Sequence, residues 1–202
     1  DYIRNYKPFL PYDQFMNTAE KSLVKQEFRR LEAKNALPEG AQWILRAEKP
    51  VEELYDTEAD PHEMNNLAGD PAMAETLARL RKAHETWREE TRDLGLIPEP
   101  QLLVLAKRYG NRYHIYEGLA KDDPSFWPTL WKLATLAAKP TPDCLPQFLD
   151  ALRSEHATIR YWATIGIDNL EAIGADGRDA LRAGLDDAAP VVRVAAAEVA
   201  AL

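Results

Sequence analysis

From Pro142 onward the chain matches itself. Setting Leu152 on Leu185 places Ile159-Arg160 on Val192-Arg193 and Trp162-Ala163 on Ala195-Ala196, all at an offset of 33 residues. Alanine supplies 14 of the 53 residues from Asp150 to Leu202, so the apolar stripes are built from small side chains that let helices approach closely. A period of this length suggests stacked helix pairs, since one pair cannot bury its apolar face alone. The helix-like stretch Ser125 to Ala138, after Asp122-Asp123-Pro124, reads as an earlier degenerate unit. The run Val199-Ala200-Ala201-Leu202 has no helix stop, Asp1 is not an initiator Met, and both ends are therefore expected to be cut, with a capping unit beyond Leu202.

Each unit orders a helix ending in Leu, a polar turn, an aliphatic-Arg pair and an alanine-rich helix. This resembles the HEAT repeat, and the resemblance implies that Arg160 and Arg193 bond neighbouring turns. The expected division is 1–98, 99–142 as a connector with a degenerate helical unit, and 143–202 as truncated HEAT-like repeats.

The first part has a different character, mixing aromatics, prolines and charges. Tyr2 to Tyr6 has strand composition and ends at Lys7-Pro8 and Leu10-Pro11. Thr18 is a candidate N-cap for a helix to about Asn35, with Leu23, Val24, Phe28 and Leu31 on its apolar face and Pro38-Glu39-Gly40 as breaker. Val51 to Tyr55 reads as a second strand, with Leu54 and the ring of Tyr55 packing. In the turn-rich run that follows, Asp60 caps the turn opened by Pro61, Asn66 does the same locally, and Met64 and Leu67 are expected to pack inward. Asp70-Pro71 starts a helix whose stripe is Met73, Leu77, Leu80, His84 and Trp87, while Arg88 to Asp93 reads as its solvated face; Gly95 and Pro98 end it. A helix over a few strands makes this part α+β, a small antiparallel sheet plus helix, followed by all-α repeats.

Composition excludes several classes of function. With 25 Lys and Arg against 33 Asp and Glu the net charge is −8, which opposes non-specific nucleic-acid binding, and no apolar run is long enough to span a bilayer. Asp56, Glu58 and Asp60 alternate like a calcium loop, but Pro61 stands where the sharp-turn Gly belongs and Leu67 where the bidentate Glu belongs. His62, His84, His114 and His156 do not pair at metal-ligand spacing, and Cys144 is the single cysteine. Neither a serine nucleophile elbow nor a glycine-rich phosphate loop is present.

Three blocks resemble the C-terminal region of formylglycine-dependent sulfatases. Glu53-Leu54-Tyr55-Asp56 through Asp60-Pro61 to Asn66-Leu67-Ala68 is similar to a segment near the end of that family, Asp70-Pro71 and the helix to Trp87 continue it, and Tyr2-Ile3-Arg4-Asn5-Tyr6 with Leu10-Pro11-Tyr12 resembles a strand and loop of bacterial members, including those similar to heparan N-sulfatase. The resemblance covers roughly residues 1–98. It implies that the formylglycine nucleophile and the calcium ligands lie in an N-terminal catalytic domain of the same protein. No catalytic, cofactor or metal residue carries over to this chain. Cys144-Leu145-Pro146-Gln147-Phe148 begins like the signature that is converted to formylglycine, but Phe148 replaces its Arg. The resemblance further implies periplasmic or secreted location and a loop that borders the substrate cleft, for which Pro8, Pro11, Tyr12 and Gln14 are the candidates. Leu54, Tyr55, Asp56, Asp60, Pro61, Asn66 and Leu67 are its structural motif. Two functions are therefore expected: a non-catalytic end of a sulfatase that completes its fold, or a helical-repeat scaffold that binds a protein.

Overall fold

Strand β1, Tyr2–Arg4, pairs antiparallel with β2, Glu52–Leu54, in a computed structural model that describes residues 1–200. Tyr2 lies opposite Leu54, Ile3 opposite Glu53 and Arg4 opposite Glu52. Both strands are shorter than the sequence suggests. The pairing extends at both ends, by Asn5 N–H to the Val51 carbonyl and Tyr55 N–H to the Asp1 carbonyl, both at 2.9 Å, and Pro8 then lacks a donor. The described residues are mostly helical, with this small two-stranded sheet, and divide into two compact units, residues 1–81 and the residues from Lys82 onward. The expectation for the end of the chain falls partly on Ala201 and Leu202, which lie outside the described residues.

In the first unit, the helix read from Thr18 to Asn35 splits in two. Thr18 precedes only a 3-10 turn, Ala19–Lys21, without a side-chain cap bond, and α1, Leu23–Glu32, starts after Ser22. Leu23 and Val24, expected on an inward face, are exposed, and no residue of α1 is buried. Phe28 and Leu31, from the same expected face, are half-buried, and ion pairs add to them. Lys25 Nζ lies 2.6 Å from Asp13 and 2.8 Å from Glu20, and Arg29 bridges the same two carboxylates. Asn35 closes the helix at a φ of 51°, in the left-handed region that asparagine tolerates.

Helix α2, Ala74–Glu90, follows a 3-10 turn, Pro71–Met73, whose Ala72 N–H is accepted by Asp70 Oδ1 at 2.9 Å. Its stripe shifts by one residue at the C-terminal end. Trp87 is exposed and stacks on His84, whereas Arg88, expected on the solvated face, is 5% exposed with its guanidinium 4.9 Å from the Trp131 ring centre. From His84 a step of four residues is as good as a step of three on a helix, and a guanidinium on an indole face is a favourable buried pair.

Arg81 on α2 grips Glu52 with two bonds, Nε to Oε1 at 2.8 Å and Nη2 to Oε2 at 2.6 Å. The Arg81 hydrogen bonds, with help from Tyr2, hold the Glu52 carboxyl at about 2, below its ordinary 4.5. The folded pKa is depressed, so the pair stabilises the fold fully above about 4.5 and loses that contribution as pH falls through about 2. Acid titration followed by the exchange of β1 and β2 amides is expected to show protection falling across that window. In Arg81→Leu the fall should shift toward 4.5.

The second unit is helical throughout its described residues. Helices α3, Glu99–Tyr109, and α4, Ile115–Asp122, lead into α5, Phe126–Ala138, α6, Leu145–Ala151, α7, Ala157–Asp168, α8, Gly174–Gly184, and α9, Pro190–Ala200. Helix α7 is central and packs against α5, α6, α8 and α9. Phe126, Trp127, Leu130, Phe148, Ile159 and Trp162 are buried in this core. Close approach requires Gly166, since a Cβ there would meet the Phe148 ring at 2.3 Å. Burial follows the 33-residue offset: Ile159 and Val192, Trp162 and Ala195, and Ala163 and Ala196 are buried pairs. Leu185 departs from it by being exposed. Among the described residues no helix is long and apolar enough to cross a membrane.

Candidate functional site

The first unit encloses a cavity of about 510 Å³ built around one buried carboxylate. Glu53 sits in the middle of β2, opposite Ile3, and is 4% exposed. Side chains alternate along a strand, so Glu52 is directed to Arg81 while Glu53 takes the other face. Glu53 Oε1 accepts from Tyr12 Oη at 2.6 Å and from Asn5 Nδ2 at 2.6 Å, and its Oε2 accepts from Tyr55 Oη at 2.6 Å. Three donors satisfy the charge, as a buried carboxylate requires. Burial first, and then the bond to Glu53, pushes the phenols of Tyr12 and Tyr55 well above their ordinary range, so both remain donors.

Two loop segments complete the walls. The 3-10 segment Glu39–Leu45 contributes Glu39 and Trp43, and Arg46 follows it. The Trp43 ring meets the Tyr12 ring edge-on, with centroids 5.1 Å apart at 90°, and remains 38% exposed. The turn after β2 brings His62, Glu63, Met64 and Asn66 to the rim. Glu63 holds a φ of 52°, a costly conformation for a side chain of its type. Met64, expected to pack inward, is 50% exposed at the cavity, because the left-handed turn at Glu63 carries it to the rim.

The residues expected to matter divide between this cavity and its supports. Of the loop residues Pro8, Pro11, Tyr12 and Gln14, Tyr12 lines the cavity. Pro8 is buried and its carbonyl accepts from Lys49 N–H at 2.7 Å, while Gln14 is exposed. Leu54 is buried. Asn66 ties the turn to the strand, its Oδ1 accepting from Leu54 N–H at 3.0 Å and its Nδ2 donating to the Glu52 carbonyl at 3.1 Å. Leu67 N–H reaches the Leu54 carbonyl at 2.8 Å. Asp56 Oδ1 accepts from Glu58 and Ala59 N–H, and Asp60 Oδ2 from Asn65 N–H at 2.8 Å, so these carboxylates cap their own turn behind the exposed Pro61. Among the described residues no group of three or more His, Cys, Asp or Glu side chains gathers as a metal site would require.

Sequence reasoning passed over Glu53, Trp43 and Arg46 as site residues. A signal existed at Trp43, an indole in a short stretch between Gly40 and Pro50, where packing in a regular element does not explain it. Glu53 gave none, because adjacent Glu52 and Glu53 look alike until the strand assigns them to opposite faces.

In the second unit the two arginines adopt one geometry. Arg160 Nη1 donates to the Ser154 and Glu155 carbonyls at 2.8 and 3.1 Å, and Arg193 Nη1 to the Asp187 and Ala188 carbonyls at 2.6 and 3.1 Å. Arg160 also holds Asp187 with two bonds, at 2.7 and 2.9 Å, which keeps that carboxyl below its ordinary range. Ser125, Asp123 and His156 come together nearby. There the Ser125 hydroxyl donates to Asp123 Oδ1, and His156 Nε2 lies 3.1 Å from Asp123 Oδ2, so the serine and the imidazole both bond the one carboxylate. Cys144 is buried before α6, shielded from the chemistry an accessible thiol performs.

In parts, the chain is similar to two proteins named as sulfatases. It is 37% identical over 102 residues to an ulvan-active sulfatase of Formosa agariphila, a match covering 50% of this chain and 17% of that protein. It is 51% identical over 41 residues to the human N-sulphoglucosamine sulphohydrolase, covering 20% of this chain and 8% of that protein. The chain thus contains a sulfatase-related region and spans under a fifth of the length of these relatives. No protein-family model matches it, and no solved structure matches it significantly.

Proposed function

We propose that this chain is the C-terminal, non-catalytic part of a sulfatase, a sulfuric ester or sulfamate hydrolase, in which the first unit completes the fold and borders the substrate cleft through Tyr12 and the cavity behind it. The observation that carries the reading is the 37% identity over half the chain to a protein named as a sulfatase. The Glu53-to-Ala68 motif supports it as a self-contained clamp that closes the sheet rather than a set of reactive groups. Formylglycine as nucleophile and calcium as its electrostatic partner belong, in this reading, to an N-terminal catalytic domain of the same protein, and the whole is periplasmic or secreted. The helices from α6 onward form a HEAT-like extension, supported by the matched arginine geometry, and offer a surface to a protein partner.

The coding sequence upstream of Asp1 tests this directly. A Cys-x-Pro-x-Arg or Ser-x-Pro-x-Arg motif some hundreds of codons earlier is expected, and a start codon directly before Asp1 would overturn the reading. The purified chain is expected to release no p-nitrophenol from p-nitrophenyl sulfate above the buffer rate. Turnover that a single substitution in this chain abolishes would show that the chain is catalytic after all.

A further inference from the structure

The cavity around Glu53 has a composition that selects its ligand. Trp43 offers an exposed indole beside the Tyr12 edge, and Met64 adds an exposed thioether at the rim. Glu39, Glu53 and Glu63 bring three carboxylates, against which Arg46 supplies the guanidinium and His62 an imidazole. A volume of about 510 Å³ lies in the range of small-ligand sites. A purely apolar ligand would strip water from these charges without replacing it. A sulfate or phosphate would face more negative than positive charge. A bare metal ion is disfavoured by the arrangement of ligand residues, which form no chelating group among those described.

We propose that this cavity binds a saccharide ring through its hydroxyl- and amine-bearing side, with the ring's C–H face on Trp43, and that it rejects a sulfate at the same position. The ring hydroxyls and an ammonium donate to the Glu39 and Glu63 carboxylates, Arg46 donates to ring or glycosidic oxygens, and the ammonium gains further from the neighbouring aromatic faces. Glu53 acts indirectly. Its oxygens are engaged by Tyr12, Tyr55 and Asn5, which makes it the positioning residue that sets Tyr12 against Trp43. The inference rests on the sulfatase reading insofar as it makes the cavity a subsite of the substrate cleft: it would hold a sugar portion that carries no sulfate, leaving the sulfated group to the catalytic domain.

The test uses the whole chain and three forms of one glucosamine-terminated disaccharide, with the amine free, N-acetylated or N-sulfated. Binding is read from the Trp43 indole N–H resonance, assigned by its loss in Trp43→Ala. The free amine should shift that resonance at the lowest concentration, and the N-sulfate should bind about tenfold or more weaker, since like charges are brought together. In the Trp43 variants binding is read from the backbone amide resonances of the cavity-lining Tyr12 and Gly40; Trp43→Ala should abolish it with the amide resonances of Tyr2 to Arg4 unmoved. If that variant disturbs the strands, Trp43→Phe should retain the order of the three sugars. The double variant Glu39→Gln with Glu63→Gln should bring the amine and the N-sulfate to within about threefold. The proposal is overturned if none of the sugars shifts Trp43, if the N-sulfate binds most tightly, or if the double variant leaves the order and spacing unchanged. The two readings fail separately. Absence of binding beside an upstream sulfatase motif removes only the sugar site, whereas binding of the amine without such a motif removes only the sulfatase reading.

Discussion

Replacing Glu53 by Ala should destabilise the first unit by about 3 kcal/mol, because it removes the acceptor for Tyr12, Tyr55 and Asn5 together and leaves three donors around an empty space. Bonds to a charged acceptor are the stronger kind, and Glu53 is sealed from solvent on its strand. The half-buried tyrosines recover some hydration, which keeps the loss below the sum of three such bonds. Hydrogen exchange of the β1 and β2 amides is the measurement, with protection expected to fall about a hundredfold. Glu53→Gln keeps one acceptor oxygen and the side-chain shape, and should cost about 1 kcal/mol. If Glu53→Ala changed protection by less than about threefold, the carboxylate would not be the centre that holds the cavity.

The second large effect belongs to Trp162. It is 2% exposed at the centre of α7, and its indole Nε1 donates to the Leu96 carbonyl at 2.7 Å, closing the loop before α3. Trp162→Ala should cost about 3–5 kcal/mol from lost packing and the cavity left behind. A melt followed by helical circular dichroism should show a midpoint lowered by about 12–20 °C for the second unit. Trp162→Phe retains most of the apolar contact but leaves the Leu96 carbonyl without its donor, and should lose about 1–2 kcal/mol. An unchanged midpoint in Trp162→Ala would mean that α7 is not the centre of this core.

Trp162 also shows why the repeat is legible in the amino-acid sequence. A 33-residue match that pairs Ile159 with Val192 and Ala163 with Ala196 requires these positions to face the same way, and each is buried. The match pairs Trp162 with Ala195, residues of very different volume that are both buried. Periodicity identifies the inward direction, while the neighbouring elements decide how large the side chain is. Local chemistry is equally readable: Asp70 accepting from Ala72, and Asp60 from Asn65, are bonds within a few residues of sequence.

What the sequence left open lay in longer-range contacts. Leu23, Val24, Phe28 and Leu31 fit one inward helix face by spacing, but spacing does not show how far a receiving surface extends: Phe28 and Leu31 are half-buried, whereas Leu23 and Val24 are exposed. Trp87 and Arg88 exchange their expected places because Trp131, 43 positions beyond Arg88, presents an indole face that only the folded second unit puts there. The cavity has the same origin. Tyr12, Trp43, Glu53 and Met64 come from a loop, a 3-10 segment, a strand and a turn, and no period or short motif links them.

The amino-acid sequence by itself therefore determined the helical pairs, the turn caps, the two strands and the sulfatase-like motif, since each depends on side chains close together along the chain or on a repeated spacing. The tertiary structure alone decided that Glu53 is a buried hub rather than a surface acid, and that Trp43 stands open beside it. A side chain's burial and bonding partners are settled by what the opposite wall supplies, and that wall is brought in from tens of residues away.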